Sequence, residues 1–187
     1  VLADLKNRIE CILDGGETHV GLESTVIDLS DKIPVILRPG KITLEQLKKI
    51  IPAVMVYGLK IGDKNKSIAR SPGMKYRHYA PKAELFLVEG ARNDIQNKIQ
   101  SLADTFKKQN KSVVILSGTK NTRYRHQTVF CIGPTMAAVA KNLFMILRDL
   151  DEQKTDVILV EGMADKNLGR AVMNRLRKAA GINIIEV

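Results

Sequence analysis

Cysteine is scarce in this 187-residue sequence, with Cys11 and Cys131 the only two. Two thiols cannot build the disulfide framework of a small secreted domain, and nothing around them has metal-ligand spacing. A reducing, cytoplasmic compartment is therefore expected, and the apolar neighbours of both cysteines read as core thiols rather than nucleophiles. Long apolar runs are missing as well: none approaches the roughly 18 residues of a membrane span, and the opening residues do not read as a signal peptide. Membrane insertion is not expected. Internal repeats and low-complexity tracts are absent, and 44% apolar with 27% charged residues is a globular composition, which argues against a disordered tail or a fibre.

Several catalytic signatures are lacking too. The sequence has neither G-x-G-x-x-G after a strand nor G-x-x-x-x-G-K-[ST], so the standard dinucleotide and phosphate cradles are not expected. Ser117-Gly118-Thr119-Lys120 reads as a loop at a strand end. His19, His78 and His126 form no H-x-H or H-x-x-x-H pair, so metal ligation by the protein is not expected. Ser24 has no G-x-S-x-G context, which leaves a hydrolase triad unsupported.

Positive charge is plentiful. Lysine and arginine number 30 against 20 aspartate and glutamate, a net charge of +10 that favours an anionic partner. Its distribution is uneven: residues 1–59 carry a net −1, residues 60–81 a net +5 and residues 82–187 a net +6. The middle stretch, Lys60 to Pro81, has no helical or alternating apolar pattern and reads as a basic linker. Within it, Ser71-Pro-Gly-Met-Lys-Tyr-Arg-His-Tyr-Ala-Pro81 interleaves aromatics with cations, a composition suited to stacking on a base while neutralising phosphate.

The remaining pattern divides around that linker. Residues 1–10 read as the tail of a helix, Asp14-Gly15-Gly16 as a sharp turn, Leu22–Leu29 and Val35–Leu37 as strands, and Thr43–Ile50 as a helix capped by Thr43 with Leu44, Leu47 and Ile50 buried. Val54–Tyr57 is a short apolar run. After the linker, strands at Leu85–Val88, Ser112–Leu116, Gln127–Ile132, Asp156–Val160 and Ile182–Val187 alternate with helices at Ala91–Gln109, Thr135–Leu150 and Leu168–Ala180. This alternation predicts a small three-layer α/β domain with a mainly parallel sheet. The last helix carries Arg170, Arg175, Arg177 and Lys178, read first as a solvated cationic face and second as an RNA contact.

The first segment holds the more specific run, Asp14-Gly-Gly-Glu-Thr-His-Val-Gly-Leu-Glu-Ser-Thr-Val-Ile-Asp28, followed by Ile36-Leu-Arg-Pro-Gly40. It can be an ordinary strand and turn. It can also place the Ser24 and Thr25 hydroxyls on a cleft for a small polar substrate, with Arg38 before a rigid Pro-Gly turn offering a guanidinium fork to phosphate or carboxylate.

Taken together, ESTVID, LRPG and SPGMKYRHYAP resemble the threonylcarbamoyl-AMP synthase family in its long form, and EGMADKNLGRAVMNRLRKAA extends the likeness through the second domain. The resemblance implies the C-terminal part of a YrdC-type α/β domain over residues 1–59, an interdomain linker or lid over 60–81, and a Rossmann-like domain over 82–187. It further implies an enzyme that makes threonylcarbamoyl-AMP and pyrophosphate from L-threonine, bicarbonate and ATP, with magnesium carried on the nucleotide. The product is then passed to the transferase complex that modifies tRNA. Carried over by position, Ser24 and Thr25 are expected to contact threonine, Arg38, Tyr79 and Tyr76 to contact ATP, and Lys75 and His78 to belong to the lid; Tyr79 is preferred over Tyr76 for the nucleotide. The family's upstream Lys/Arg-rich and Ser-Ala-Asn motifs are not in this sequence, so the chain is expected to be a C-terminal portion that is inactive alone. The alternative reading is a non-catalytic α/β module that binds tRNA or a partner protein.

Overall fold

The computed structural model describes residues 2–57, 80–118, 124–125 and 127–187. Most of the basic linker, with Lys75, Tyr76, His78 and Tyr79, lies outside the described residues.

Helix α1 covers only Leu2–Leu5, shorter than the helical tail expected over residues 1–10. The turn at Asp14-Gly15-Gly16 forms as the sequence suggests: the Gly16 amide donates to Asp14 Oδ1 at 2.8 Å, and Gly16 has φ +77°, a conformation that favours glycine. Strands β1 (Val26–Asp28), β2 (Val35–Arg38) and β3 (Met55–Val56) then make a small sheet in the order β1-β2-β3. β1 and β2 are antiparallel with an irregular register between Val26 and Ile27, and β3 joins β2 in parallel. Helix α2 (Leu44–Lys48) starts as expected with a reciprocal cap: Gln46 N donates to Thr43 Oγ1 at 3.3 Å, and Thr43 N donates to Gln46 Oε1 at 2.9 Å. Its expected apolar stripe is not buried, and Ile50 beyond its end is 81% exposed.

From residue 84 onward, strands and helices alternate as the sequence predicts. The elements are β4 (Glu84–Glu89), α3 (Arg92–Lys108), β5 (Val113–Ser117), β6 (Thr128–Cys131), α4 (Met136–Glu152), β7 (Val157–Glu161), α5 (Leu168–Ala180) and β8 (Ile184–Glu186). All five strands are parallel, in the order β6-β5-β7-β4-β8. This is a Rossmann-like layered sheet, with the unit's first and fourth strands interchanged relative to the usual dinucleotide-binding order. Successive side chains on a strand point to opposite faces, so β7 sends Ile158 and Val160 into one core with α4 and α5, and Leu159 into another with α3.

The two units are packed together. Leu22, expected on a strand, is buried in the core formed with α4 and α5, and Val20 packs against the same core. A Cβ at Gly21 would lie 2.3 Å from the Lys141 carbonyl oxygen, so only a residue without a side chain lets the chain pass this close to α4. The expected strand over residues 22–29 is thereby shortened to Val26–Asp28, because residues 20–22 are held by the second unit. Cys11 is exposed, which corrects its reading as a core thiol, whereas Cys131 is half-buried on β6.

Candidate active site

The ESTVID and LRPG segments meet through the antiparallel pairing of β1 with β2, which places Arg38 opposite Val26. The turn after β2 then folds back so closely that a Cβ at Gly40 would lie 2.4 Å from the Thr25 amide nitrogen and 2.7 Å from the Glu23 carbonyl oxygen. Arg38 donates from Nε to the Ser24 carbonyl at 3.1 Å and from Nη2 to Ser24 Oγ at 3.3 Å. Two of the residues singled out by sequence are thus joined directly, with Ser24 exposed and Arg38 half-buried. Thr25 behaves differently. Its hydroxyl donates to the Ile42 carbonyl at 2.7 Å, so its proton ties down the turn after β2 and its lone pairs are what it can offer a ligand.

Sequence reasoning missed what stands behind this pair. Arg175 of α5 is 2% exposed, and its guanidinium reaches out of the second unit to the loop beside Ser24. Nε donates to Glu23 Oε2 at 2.8 Å, Nη1 donates to the Pro39 carbonyl at 2.8 Å and to Asn174 Oδ1 at 3.1 Å, and Nη2 lies 2.8 Å from Glu23 Oε2. A buried cation has to be paired and hydrogen-bonded, which this one is. Lys178, one turn further along α5, is held below the ordinary lysine range by burial and by Arg175 beside it; Glu23 pulls the other way and Arg38 adds to the depression. Arg175 thus pairs with Glu23, and Lys178 lies close enough to feel Arg175, Glu23 and Arg38 together. Such a cation surplus suits an anionic ligand.

This overturns the reading of α5 as a solvated cationic face. Arg170 pairs with Glu45 of α2 at 3.0 Å. Arg177 forks onto Glu89, Nε to Oε1 at 2.8 Å and Nη2 to Oε2 at 2.6 Å, and a further donor bonds Asp165; the hydrogen bonds to Glu89 lead in raising its affinity for its proton. The composition of the helix was visible in the sequence, but its carboxylate partners lie as far as 152 residues away.

A concavity of about 560 Å³ opens in the Rossmann-like unit, at the C-terminal ends of its parallel strands. It sits between the adjacent parallel strands β4 and β7, whose following helices α3 and α5 cross to opposite faces of the sheet, the usual ligand crevice of an open α/β sheet. Gly90, Gly118, Gly133 and Gly162, following β4, β5, β6 and β7, all line it. At its base Glu161 accepts from Ser117 Oγ at 2.6 Å and from the Tyr124 hydroxyl at 2.7 Å. Burial first, and then the Glu161 carboxylate, push the Tyr124 phenol far above its ordinary value, so it stays a donor. A phenol whose folded value is raised stabilises the fold fully below the unfolded value of about 10 and loses that contribution as pH rises past it. Stability is thus expected to fall above about pH 10 by up to about 1.4 kcal/mol per pH unit from this group. Tyr124→Phe should flatten that slope in denaturant titrations; an unchanged slope would refute the assignment.

Among the described residues, no group of three or more His, Cys, Asp or Glu could hold a metal ion, and no helix is long and apolar enough to cross a membrane.

Residues 42–181 match the family described as "Threonylcarbamoyl-AMP synthase, C-terminal domain", and residues 1–40 match one described as "Telomere recombination". A threonylcarbamoyl-AMP synthase from Pyrococcus abyssi is 50% identical over 188 residues, covering 100% of this chain and 54% of the relative. The crystal structure of P. abyssi Sua5 complexed with L-threonine superposes with a TM-score of 0.84 at 46% identity, covering 100% of this chain and 54% of that one. A variant of the same protein with a histidine and the following tyrosine replaced by alanine superposes with a TM-score of 0.85 at 45% identity, covering 100% of this chain and 53% of that one. The chain spans about half the length of the relatives it matches. With the family match covering residues 42–181 and sequence similarity running end to end, the chain belongs to the threonylcarbamoyl-AMP synthase family, as a bearer of its C-terminal domain.

Proposed function

We propose that this chain works as part of an L-threonylcarbamoyladenylate synthase, forming threonylcarbamoyl-AMP and pyrophosphate from L-threonine, bicarbonate and ATP. The observation that carries this reading is the Arg38 guanidinium held on Ser24, inside a cluster with two more cations, in a chain whose P. abyssi relative was crystallised with L-threonine. In this reading Ser24 contacts threonine, with Thr25 as a neighbouring acceptor, and Arg38 faces the ATP phosphates. Threonine's amine and bicarbonate give a carbamate and a water molecule, and the carbamate oxygen attacks the α-phosphate and expels pyrophosphate. The protein's part is to position the reactants and to neutralise charge. Magnesium travels on the nucleotide, since the one carboxylate of the cluster, Glu23, is already engaged by Arg175.

The linker acts as a lid that keeps water from the carbamate. Lys75, Tyr76, His78 and Tyr79 are its working residues, and Tyr79 is our choice for the nucleotide contact. This sequence contains one histidine followed by tyrosine, His78-Tyr79, the same residue pair replaced in the P. abyssi variant. The work takes place in the cytoplasm, and the product passes to the transferase complex that modifies tRNA. The alternative, a non-catalytic module that binds tRNA or a partner protein, draws on the basic linker and on α5; of these, α5 has its Arg170, Arg175 and Arg177 paired with carboxylates of the chain itself.

Threonine- and bicarbonate-dependent release of pyrophosphate from ATP by the full-length protein tests the reading. Arg38→Ala is expected to lower that rate about a hundredfold, the usual scale for losing one charge-stabilising donor. No threonine-dependent release by the wild type would overturn the function. Unchanged turnover in Arg38→Ala would remove Arg38 from it.

A further inference from the structure

We infer that Arg175 is a positioning residue for the Ser24–Arg38 site, so that the Rossmann-like unit completes the substrate site of its neighbour; the inference rests on the function proposed above. Arg175 sits in the middle of α5, a helix anchored on its own sheet by Leu176, Ala179 and Ala180, all at most 2% exposed. Its guanidinium leaves that unit and meets two separate pieces of the other. One is the Glu23 carboxylate, adjoining Ser24; the other is the Pro39 carbonyl, adjoining Arg38. These two anchor points therefore flank the two site residues in sequence on the same side of the fold, and the planar fork fixes the distance between them.

Within the first unit these segments are tied by Arg38 on Ser24 and by the Thr25 hydroxyl on the Ile42 carbonyl, and Arg175 adds a buried tie one residue further out on each segment, at Glu23 and Pro39. β1 is three residues long and its register is irregular at Val26, so the ladder alone leaves residues 23–25 weakly specified. The Gly40 turn brings residues 39–40 into contact with 23–25 but adds no charge-assisted bond. The buried Arg175 guanidinium, with Nε on Glu23 Oε2 and Nη1 on the Pro39 carbonyl, supplies directional bonds that neither the ladder nor the turn has. A lysine at this position keeps the charge but, as a point donor, cannot hold Glu23 and Pro39 in the same geometry.

The Rossmann-like unit thus gains a role that needs no ligand of its own. It presents a rigid helix to an intrinsically sparse loop, and Lys178 on the same helix brings a further cation to the edge of the cluster. Loss of the brace is expected to weaken threonine binding through Ser24 more than it slows chemistry, so the effect falls on KM.

The test compares wild type, Arg175→Lys, Arg175→Met and the double variant Glu23→Gln with Arg175→Met, all in the full-length protein. Melting temperature and steady-state kinetics with threonine as the varied substrate are measured on each. Arg175→Met leaves Glu23 as a poorly solvated carboxylate without its cation and is expected to melt lower. The double variant removes both charges and is expected to regain most of that stability. Its KM for threonine is nonetheless expected to stay raised by about tenfold to a hundredfold, the scale of an ångström-level misplacement, with kcat changed by a smaller factor. Arg175→Lys should fall between it and the wild type. A double variant with the wild-type KM would overturn the positioning role while leaving the proposed function standing. A wild-type protein with no threonine-dependent activity would overturn both, since the brace would then have no site to serve.

Discussion

On the function proposed above, replacing Gly40 with alanine is expected to lower the affinity for L-threonine by about a hundredfold or more, the scale set by a misplacement of about 1 Å. The added methyl would stand 2.4 Å from the Thr25 nitrogen, 2.6 Å from the Ser24 carbonyl carbon and 2.7 Å from the Glu23 carbonyl oxygen. All three obstacles are backbone, so no side chain can swing aside. The clash is relieved only by moving the turn after β2 away from residues 23–25, by about 1 Å to regain ordinary contact distances. That shift pulls on every bond that organises the site. Arg38 leaves Ser24, Arg175 no longer spans Glu23 and Pro39, and the Thr25 hydroxyl loses the Ile42 carbonyl. Stability falls as well, by about 1–3 kcal/mol as for other overpacked sites. Titration calorimetry with L-threonine on the full-length protein, beside a thermal melt, measures both. Wild-type affinity in Gly40→Ala would refute the close approach and the geometry derived from it.

Local pattern carried most of the second unit. The bounds of α5, Leu168–Ala180, coincide with the expected helix, because apolar spacing and the closing Gly181 are local signals. β5 was legible as an uninterrupted apolar run between turn residues, the mark of a parallel strand covered on both faces. The strand order was not legible, since right-handed crossovers permit several orders for the same alternation. The site itself divided along the same line. Ser24 and Arg38 could be named because they lie in compact motifs, and β pairing brings motifs 14 residues apart together. Arg175 could not be assigned, because a cation on a helix reads as solvated until its partner is known, and Glu23 lies at the other end of the chain. The Glu161, Ser117 and Tyr124 group has the same origin: its members come from β7, the end of β5 and the residues before β6. In hindsight, glycine closely following each of β4, β5, β6 and β7 was the available signal for that crevice.

Two leucine and isoleucine positions with the same helical spacing in the sequence should respond oppositely to truncation. Leu143 lies on α4 and is fully buried in the core that α4 and α5 share with the sheet and with Leu22 of the first unit. Leu143→Ala deletes three heavy atoms from a close-packed space whose walls belong to different elements, so the cavity cannot collapse fully. The expected cost is about 2–5 kcal/mol. For a chain of this size that lowers the melting temperature by about 4–20 °C, at roughly 2–4 °C per kcal/mol. Ile50 was expected in the buried stripe of α2, yet it is 81% exposed. Ile50→Ala removes almost no buried surface, and its effect should stay within about 0.5 kcal/mol. Chemical denaturation of the two variants of this chain separates the cases, provided the slope with denaturant is unchanged. A comparable loss in both would mean that Ile50 is covered in solution. A small loss in Leu143→Ala would mean that the α4–α5 core is looser than its packing indicates.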